Sequence, residues 1–590
     1  MLRTHTCNEL SKAHIDSTVT LTGWVNVRRD HGGIIFIDLR DRFGLTQIKF
    51  DPTSNPEAHK KAEAIRSEWV LKVTGTVIAR PESMINPKLA TGEIEVAVSG
   101  LEILNTAITP PFDITGEQPV NEEVRMKYRY LDLRNPRMTK NIVARHTFIT
   151  KVREYLNAKG FLDIETPALI KGTPEGAREF IVPSRQNEGK FYVLPQSPQQ
   201  LKQMLMVAGM DRYYQIVKCF RDEDQRGDRQ PEFTQIDMEL SFIEQEDILN
   251  INEEMMTQVV AAVAPHKKML FSPFKRLTYA DAMNMYGSDK PDLRYDLAFV
   301  DLTKLVDGCG FSVFADAVKN SGVVKAMRVP GGASFSRKDI DELTALARNH
   351  HAKGLAYITH KEDGLSSPIM KFLGDDLTSR ITQAVGLQQG DIVFFAADEF
   401  DTAVESLGQV RKDVAKRLKL ADENVLAFAW VVDFPLFKAN KGDEHGYGKV
   451  AAVHHPFTRP LNEDITLLET NPLAVRSNAY DMVLNGYEIG GGSMRIHEQD
   501  LQKKIFTILG VSDEEAQLRF GHMLSAFEYG APPHGGLAYG LDRIMMILQD
   551  EPSIREVMAF PKTGDGRDLM LDAPGDIDPK QLKELKISIK

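Results

Sequence analysis

The chain has 590 residues, which sets an expectation of about three to five domains; 42% hydrophobic and 26% charged residues are ordinary globular values and exclude collagen-like, low-complexity and wholly disordered classes. A net charge of −11 argues against gripping nucleic acid by bulk charge, yet residues 1–110 carry 13 Lys/Arg against 13 Asp/Glu and leave room there for a local basic patch. Cys7, Cys219 and Cys309 are too far apart for a zinc spacing or a disulfide framework, no apolar run approaches the ~20 residues of a membrane span, and the N-terminus lacks a signal-like apolar region, so a cytoplasmic, non-membrane protein is expected.

Residues 1–105 read as a small all-β unit. Alternating runs at Val19–Val25, Gly33–Leu39, Leu45–Phe50 and Val70–Ala79 follow one another with turn signals between them, and one helix, Asn55–Trp69, interrupts them. Five short strands and a helix suit an OB-type barrel. Arg28, Arg29, Arg40 and Arg42 near Phe36 offer cations beside an aromatic platform, as single-strand binding requires; a solvated strand edge with a core phenylalanine explains the same residues. Residues 106–140, with Pro110, Pro111 and Pro119, read as a hinge or linker. Helical patterns at Asn141–Ala158, Gln199–Gly209 and Glu246–Val263 alternate with strands in a first α+β segment, 141–290. Residues 291–420 form an inserted α+β domain in this reading, 421–560 return to the first domain, and 561–590 are a polar C-terminal extension.

Two segments carry chemistry. From Tyr213 to Glu239 two strands flank a charged loop; period two places Cys219, Arg221 and Glu223 on one face, and Phe233, Gln235, Asp237 and Glu239 on one face of the returning strand. An arginine fixed at a strand end suits a phosphate, and Phe233 suits a stacked base. In the second segment, Asn485-Gly486 between apolar runs predicts a hairpin that pairs Leu484 with Tyr487 and Val483 with Glu488. Asp481 and Glu488 then share a face, as a Mg²⁺ site would need; two solvent-facing acids on an edge hairpin fit equally. Strict alternation points Arg495 away from Glu488, and a bulge in the Gly490–Gly492 run would reverse that.

Together these residues resemble the class II aminoacyl-tRNA synthetases, and among them the bacterial-type aspartate enzymes. Gly160–Pro167 is similar to motif 1, Phe220–Phe233 to motif 2 and Gly536–Arg543 to motif 3; Thr173–Arg178, Gln196–Lys202 and His454-His455-Pro456-Phe457 are similar to the aspartate branch. The resemblance implies an OB-fold anticodon-binding barrel, an antiparallel-sheet catalytic domain, the inserted domain of the bacterial type, and a homodimer. It also implies adenylation of L-aspartate by ATP with Mg²⁺, then transfer to tRNA(Asp). Arg221 and Arg543 would be catalytic, holding the α- and γ-phosphates. Asp222, Glu223, Gln230, Phe233, Glu488, Gly540, Leu541 and Asp542 would complete the ATP site, and Asp481 with Glu488 would hold Mg²⁺. For aspartate the implied set is Glu175, Gln199, Lys202, Arg221, Asp237, His454 and Arg495, with the two cations Lys202 and Arg495 separating a carboxylate from its amide. In the barrel, Phe36 would stack on an anticodon base beside Arg29, Gln47, Arg80 and Glu95. Strict members tend to carry leucine and lysine where this chain has His31 and Ser83; histidine is similar to relaxed members, which adds tRNA(Asn) to the expected substrates. The alternatives are an asparaginyl or lysyl enzyme, an aspartate–ammonia ligase, which lacks the barrel, and a non-catalytic relative, expected to lose Arg221, Glu488 or Arg543.

Overall fold

A computed structural model describes residues 1–172, 177–224, 227–440 and 450–589. The chain divides into two units, Met1–Ile142 with Asp568–Ala573, and Val143–Arg567 with Pro574–Lys590.

In the first unit five strands close into a barrel in the order Thr18–His31, Ile34–Arg40, Leu45–Phe50, Ile94–Asn105, Val70–Ala79. Alternate residues Ile35, Ile37 and Leu39 fill the interior with Leu21, Ile48, Val73 and Val96. That parity puts Phe36 and Asp38 on the outer surface, so Phe36 is not a core residue. The helix is shorter than the periodicity predicts: it runs Pro56–Glu63, with the Asn55 side chain accepting from Ala58 N. It cannot extend to Trp69, since Glu68 adopts φ 65° and the backbone there pairs with Val25 (Glu68 N to Val25 O, 2.8 Å; Val25 N to Trp69 O, 2.9 Å). Part of the predicted linker is helical, at Glu122–Lys127 and Arg129–Asp132, and the long helix begins at Pro136, where a missing N–H costs nothing in the first turn.

The second unit is built on an eight-stranded sheet, in the order Lys275–Thr278, Phe428–Val432, Ala479–Leu484, Tyr487–Met494, His534–Gly540, Glu232–Ser241, Arg212–Phe220, Leu162–Asp163. The six central strands are antiparallel, and each edge strand pairs parallel to its neighbour. One face is apolar: Ile236, Met238, Leu240, Tyr480, Met482, Leu537 and Tyr539 pack on helices Pro136–Ala158, Gln245–Val263 and Leu541–Leu548. The other face carries Phe233, Gln235, Asp237 and Glu239. Between the two halves of this sheet in sequence, residues 299–398 form a separate five-stranded antiparallel sheet with apolar clusters of its own. Among the described residues no helix is long and apolar enough to cross a membrane.

Candidate active site

The hairpin carrying Asp481 and Glu488 turns at Asn485 (φ 51°) and Gly486 (φ 87°), with Leu484 opposite Tyr487 and Val483 opposite Glu488. The register then slips, so that Met482 faces Gly490 and Ile489 is the extra residue. Ile489 packs into the apolar core, and a β-carbon on Gly490 would meet the Tyr539 ring on that same side. Two successive residues on one side reset the parity, and Glu488, Gly491, Ser493 and Arg495 all turn to the polar face. The bulge therefore lies just before the glycine run.

A cavity of about 510 Å³ opens on that polar face. It is lined by Gln199, Lys202, Arg221, Glu223, Gln230, Phe233, Asp237, His454, Asp481, Glu488, Arg495, Gly540, Asp542 and Arg543 from the expected set, joined by Ser197, His455, Ser493 and Asp228. At one part of the wall Lys202 Nζ donates to Asp237 Oδ1 (2.6 Å) and lies 3.2 Å from Glu239 Oε2. Arg495 Nε donates to Glu239 Oε1 (2.9 Å), and its Nη1 to Ser493 Oγ (2.8 Å). Glu239 thus bridges the two cations, all four charged groups are buried, and Asp237 Oδ2 has no hydrogen-bond partner. A β-carbon at Gly536 would overlap the Glu239 carboxylate, so glycine there makes room for the bridge. Burial pushes the Asp237 carboxyl up against the pull of Lys202. Burial pushes Glu239 the same way, but Arg495 and Lys202 outweigh it and hold the group below its ordinary value. Glu239 was visible on the right strand face in sequence, but nothing local marked it as the bridge.

The second part of the cavity is built from arginines. Arg221 stacks over the Phe233 ring at 5.0 Å, and Arg543 donates to Asp228 Oδ2 (3.0 Å) and to the Glu488 carbonyl. The Nε of each is buried without a partner. Asp481 and Glu488 flank Gly491, where a β-carbon would sit 2.5 Å from Asp481 Oδ1 and 3.6 Å from Glu488 Oε1. Burial and the Glu488 charge hold the Asp481 carboxyl well above its ordinary range. Such a pair fits Mg²⁺, which takes one or two carboxylates and fills its other positions with water and phosphate oxygens. Among the described residues no third His, Cys, Asp or Glu joins them to make a self-sufficient metal cluster.

Six expectations need correction or limits. Leu541 is fully buried in the apolar core, and Asp222, whose backbone bridges to Arg178, does not line the cavity. Asp542 does line it, but its oxygens are taken by Arg145 and by Thr234 N (2.9 Å), so it ties helix to strand instead of meeting a ligand. Gln230 spends both amide ends on the Lys562 backbone (3.1 and 2.7 Å). Glu175 lies outside the described residues. His454 stands exposed, its ring edge-on to Phe434 at 4.9 Å.

On the barrel, Arg29 forms a two-pronged ion pair with Asp38 (2.8 and 2.7 Å) and donates to Gln47 Oε1 (3.3 Å), while Gln47 Nε2 donates to Glu95 Oε2 (2.6 Å). Arg80 is buried; its Nε donates to Ile94 O (2.9 Å), its Nη2 has no partner, and Glu95 opposes the downward pull of burial on its pKa. Asp38, the centre of this chain of polar groups, was not among the expected residues. The His31 ring lies 6.1 Å from Phe36, and Ser83 is exposed in the Glu82–Met84 turn. Arg40 faces inward to Glu68 (2.9 and 2.7 Å) and is not part of an exposed basic patch.

Comparison with known proteins agrees with this geometry. A family profile described as tRNA synthetases class II (D, K and N) matches residues 121–564, and one described as OB-fold nucleic acid binding domain matches residues 19–104. The aspartate–tRNA(Asp/Asn) ligase of Desulfatibacillum aliphaticivorans is 54% identical over 100% of this chain and 98% of its own length. The aspartate–tRNA ligase of Bacillus licheniformis is 51% identical over 100% and 99%. The fold is also that of the asparaginyl-tRNA synthetase of Pyrococcus horikoshii, with a TM-score of 0.60 at 19% identity over 95% of this chain and 99% of that one. The chain belongs to the class II tRNA synthetases of the aspartate, lysine and asparagine group, and within that group to the bacterial-type aspartate–tRNA ligases.

Proposed function

We propose that the chain activates L-aspartate with ATP and transfers it to the 3′-terminal adenosine of tRNA(Asp) and of tRNA(Asn). The observation that carries this reading is the Glu239 bridge between Lys202 and Arg495, in the same cavity as Arg221 and Arg543. Lys202 and Arg495 take the substrate's side-chain carboxylate, while Asp237, through its unpaired oxygen, faces its ammonium group, a role that the family resemblance also gives Glu175. Gln199 and His454 complete the pocket. The adenine stacks on Phe233, with Glu223 beside it. A substrate α-carboxylate oxygen attacks the α-phosphorus, pyrophosphate leaves, and an aspartyl-adenylate forms. Arg221 steadies the α-phosphate and Arg543 the γ-phosphate, so positioning and electrostatics supply most of the rate. Mg²⁺, held by Asp481 and Glu488, would neutralise phosphate charge. The terminal adenosine hydroxyl then attacks the acyl carbon and AMP departs.

On the barrel, Phe36 stacks an anticodon base while Arg29, Gln47, Arg80 and Glu95 meet base edges. His31, together with the name of the Desulfatibacillum relative, supports acceptance of both tRNAs. A cytoplasmic homodimer, with residues 291–420 as an inserted domain, completes the reading. Aspartate-dependent ATP–pyrophosphate exchange and charging of the two tRNA transcripts with labelled aspartate test it. Absence of exchange with aspartate would overturn the activity; label on the aspartate tRNA alone would remove the wider tRNA range.

A further inference from the structure

His455 has neighbours that its chemistry cannot satisfy together. Phe457 N–H donates to its Nδ1 at 3.0 Å, and Arg495 Nη1 lies 3.0 Å from its Nε2. A guanidinium only donates, and a neutral imidazole offers one acceptor nitrogen and one N–H, so the ring can serve one of these neighbours and not both. Protonation would serve neither, and burial together with Arg495 holds the His455 pKa well below its ordinary value.

The Phe457 contact is the fixed one. It is a backbone N–H on a buried residue whose ring is wedged against Phe506 and Phe520 at 6.1 and 5.0 Å, and the turn is closed by Thr458 N donating to His455 O (3.2 Å). Arg495 Nη1 has a second acceptor in Ser493 Oγ. With Nδ1 kept as an acceptor, the ring hydrogen sits on Nε2 and points at another donor. An acceptor oxygen placed between Nε2 and Nη1 removes the conflict.

We infer that His455 is a specificity-determining residue for the amino acid: locked as a donor by the Phe457 backbone, it joins Arg495 in a donor-only lining that welcomes a side-chain carboxylate and rejects the corresponding amide. The inference rests on the proposed function and names how that site tells aspartate from asparagine. A carboxylate oxygen accepts from both His455 and Arg495. An amide NH₂ in the same place would meet only donors, since both Glu239 oxygens already face Arg495 and Lys202, and Asp237 Oδ2 is assigned to the substrate ammonium.

The test is ATP–pyrophosphate exchange with L-aspartate and with L-asparagine, on the wild-type chain and on His455→Gln, whose amide can turn its oxygen toward an incoming NH₂. The expected result is a fall of about ten- to a hundredfold in the aspartate-to-asparagine ratio of kcat/KM, carried by KM for the amino acid and with KM for ATP unchanged. In protein labelled with ¹⁵N-histidine, adding L-aspartate should leave the His455 ring, identified by its absence from the variant, in the Nε2–H form. A ratio unchanged within twofold, or an Nδ1–H ring in the aspartate complex, would overturn the inference. If His455→Gln does not fold by circular dichroism, His455→Asn supplies both readouts. Failure of the wild-type chain to activate aspartate at all would strike the proposed function instead, so the two failures are separable.

Discussion

Glu239 shows how a single buried carboxylate organises the candidate site. Its oxygens sit between Lys202 and Arg495, so removing its charge leaves two cations in a dry wall facing only Asp237. Breaking a buried pair of this kind costs about 3–5 kcal/mol, and Glu239→Gln should lower the stability read by urea unfolding by that order while abolishing aspartate-dependent exchange. Asp481 presents the opposite case. Its folded pKa is raised by burial and by Glu488, so the native state holds that proton more tightly than the unfolded chain does. Its contribution to stability is present at acid pH and is lost as pH rises through the raised value. In EDTA near neutral pH, Asp481→Asn should therefore melt higher than the wild-type chain. Added Mg²⁺ should raise the wild-type midpoint and leave the variant's unchanged; equal gains in both would argue against a cation there.

At the scale of elements, the extra residue at Ile489 decides which side chains meet. Deleting Ile489 removes that extra residue and leaves Glu488 and Arg495 an even number of positions apart, on one face by strict alternation, whereas deleting Gly492 with the bulge kept should turn Arg495 to the opposite face, with loss of exchange in a protein that retains its far-ultraviolet circular dichroism. Gly491→Ala sets a methyl against Asp481 Oδ1 at 2.5 Å; overpacking of this kind costs about 1–3 kcal/mol and should show as a lower melting temperature with weakened response to Mg²⁺. The hairpin register was legible in sequence because Asn485-Gly486 selects its turn, and the barrel interior was legible because its strands alternate. The position of the slip was not, since an extra residue leaves no mark on composition. Local spacing also failed for the helix that ends at Glu63, where pairing of Glu68 and Trp69 with Val25 overrides a continuing apolar period. Lys202 would read as solvated on its helix, because the acids that neutralise it lie on another strand, and Arg495 stands 256 residues from Glu239.

At the scale of the whole chain, the two candidate sites fall in different units. Phe36 lies on the barrel surface and the residues proposed to hold aspartate and nucleotide lie in the other unit, so Phe36→Ala should leave ATP–pyrophosphate exchange intact. It should weaken charging of tRNA by about 1–3 kcal/mol in kcat/KM, the usual worth of one stacked base. Arg221→Ala should abolish both reactions, and equal loss of exchange in the two variants would contradict the division. The four interlocked charges around Glu239 also bear on how such an enzyme can change over time. Any single substitution that removes the charge of Lys202, Asp237, Glu239 or Arg495 strands an opposite charge away from water. A lineage drifting toward a neutral substrate would cross a poorly folded intermediate unless two or more of these positions changed together, so the acidic preference is shielded from gradual erosion.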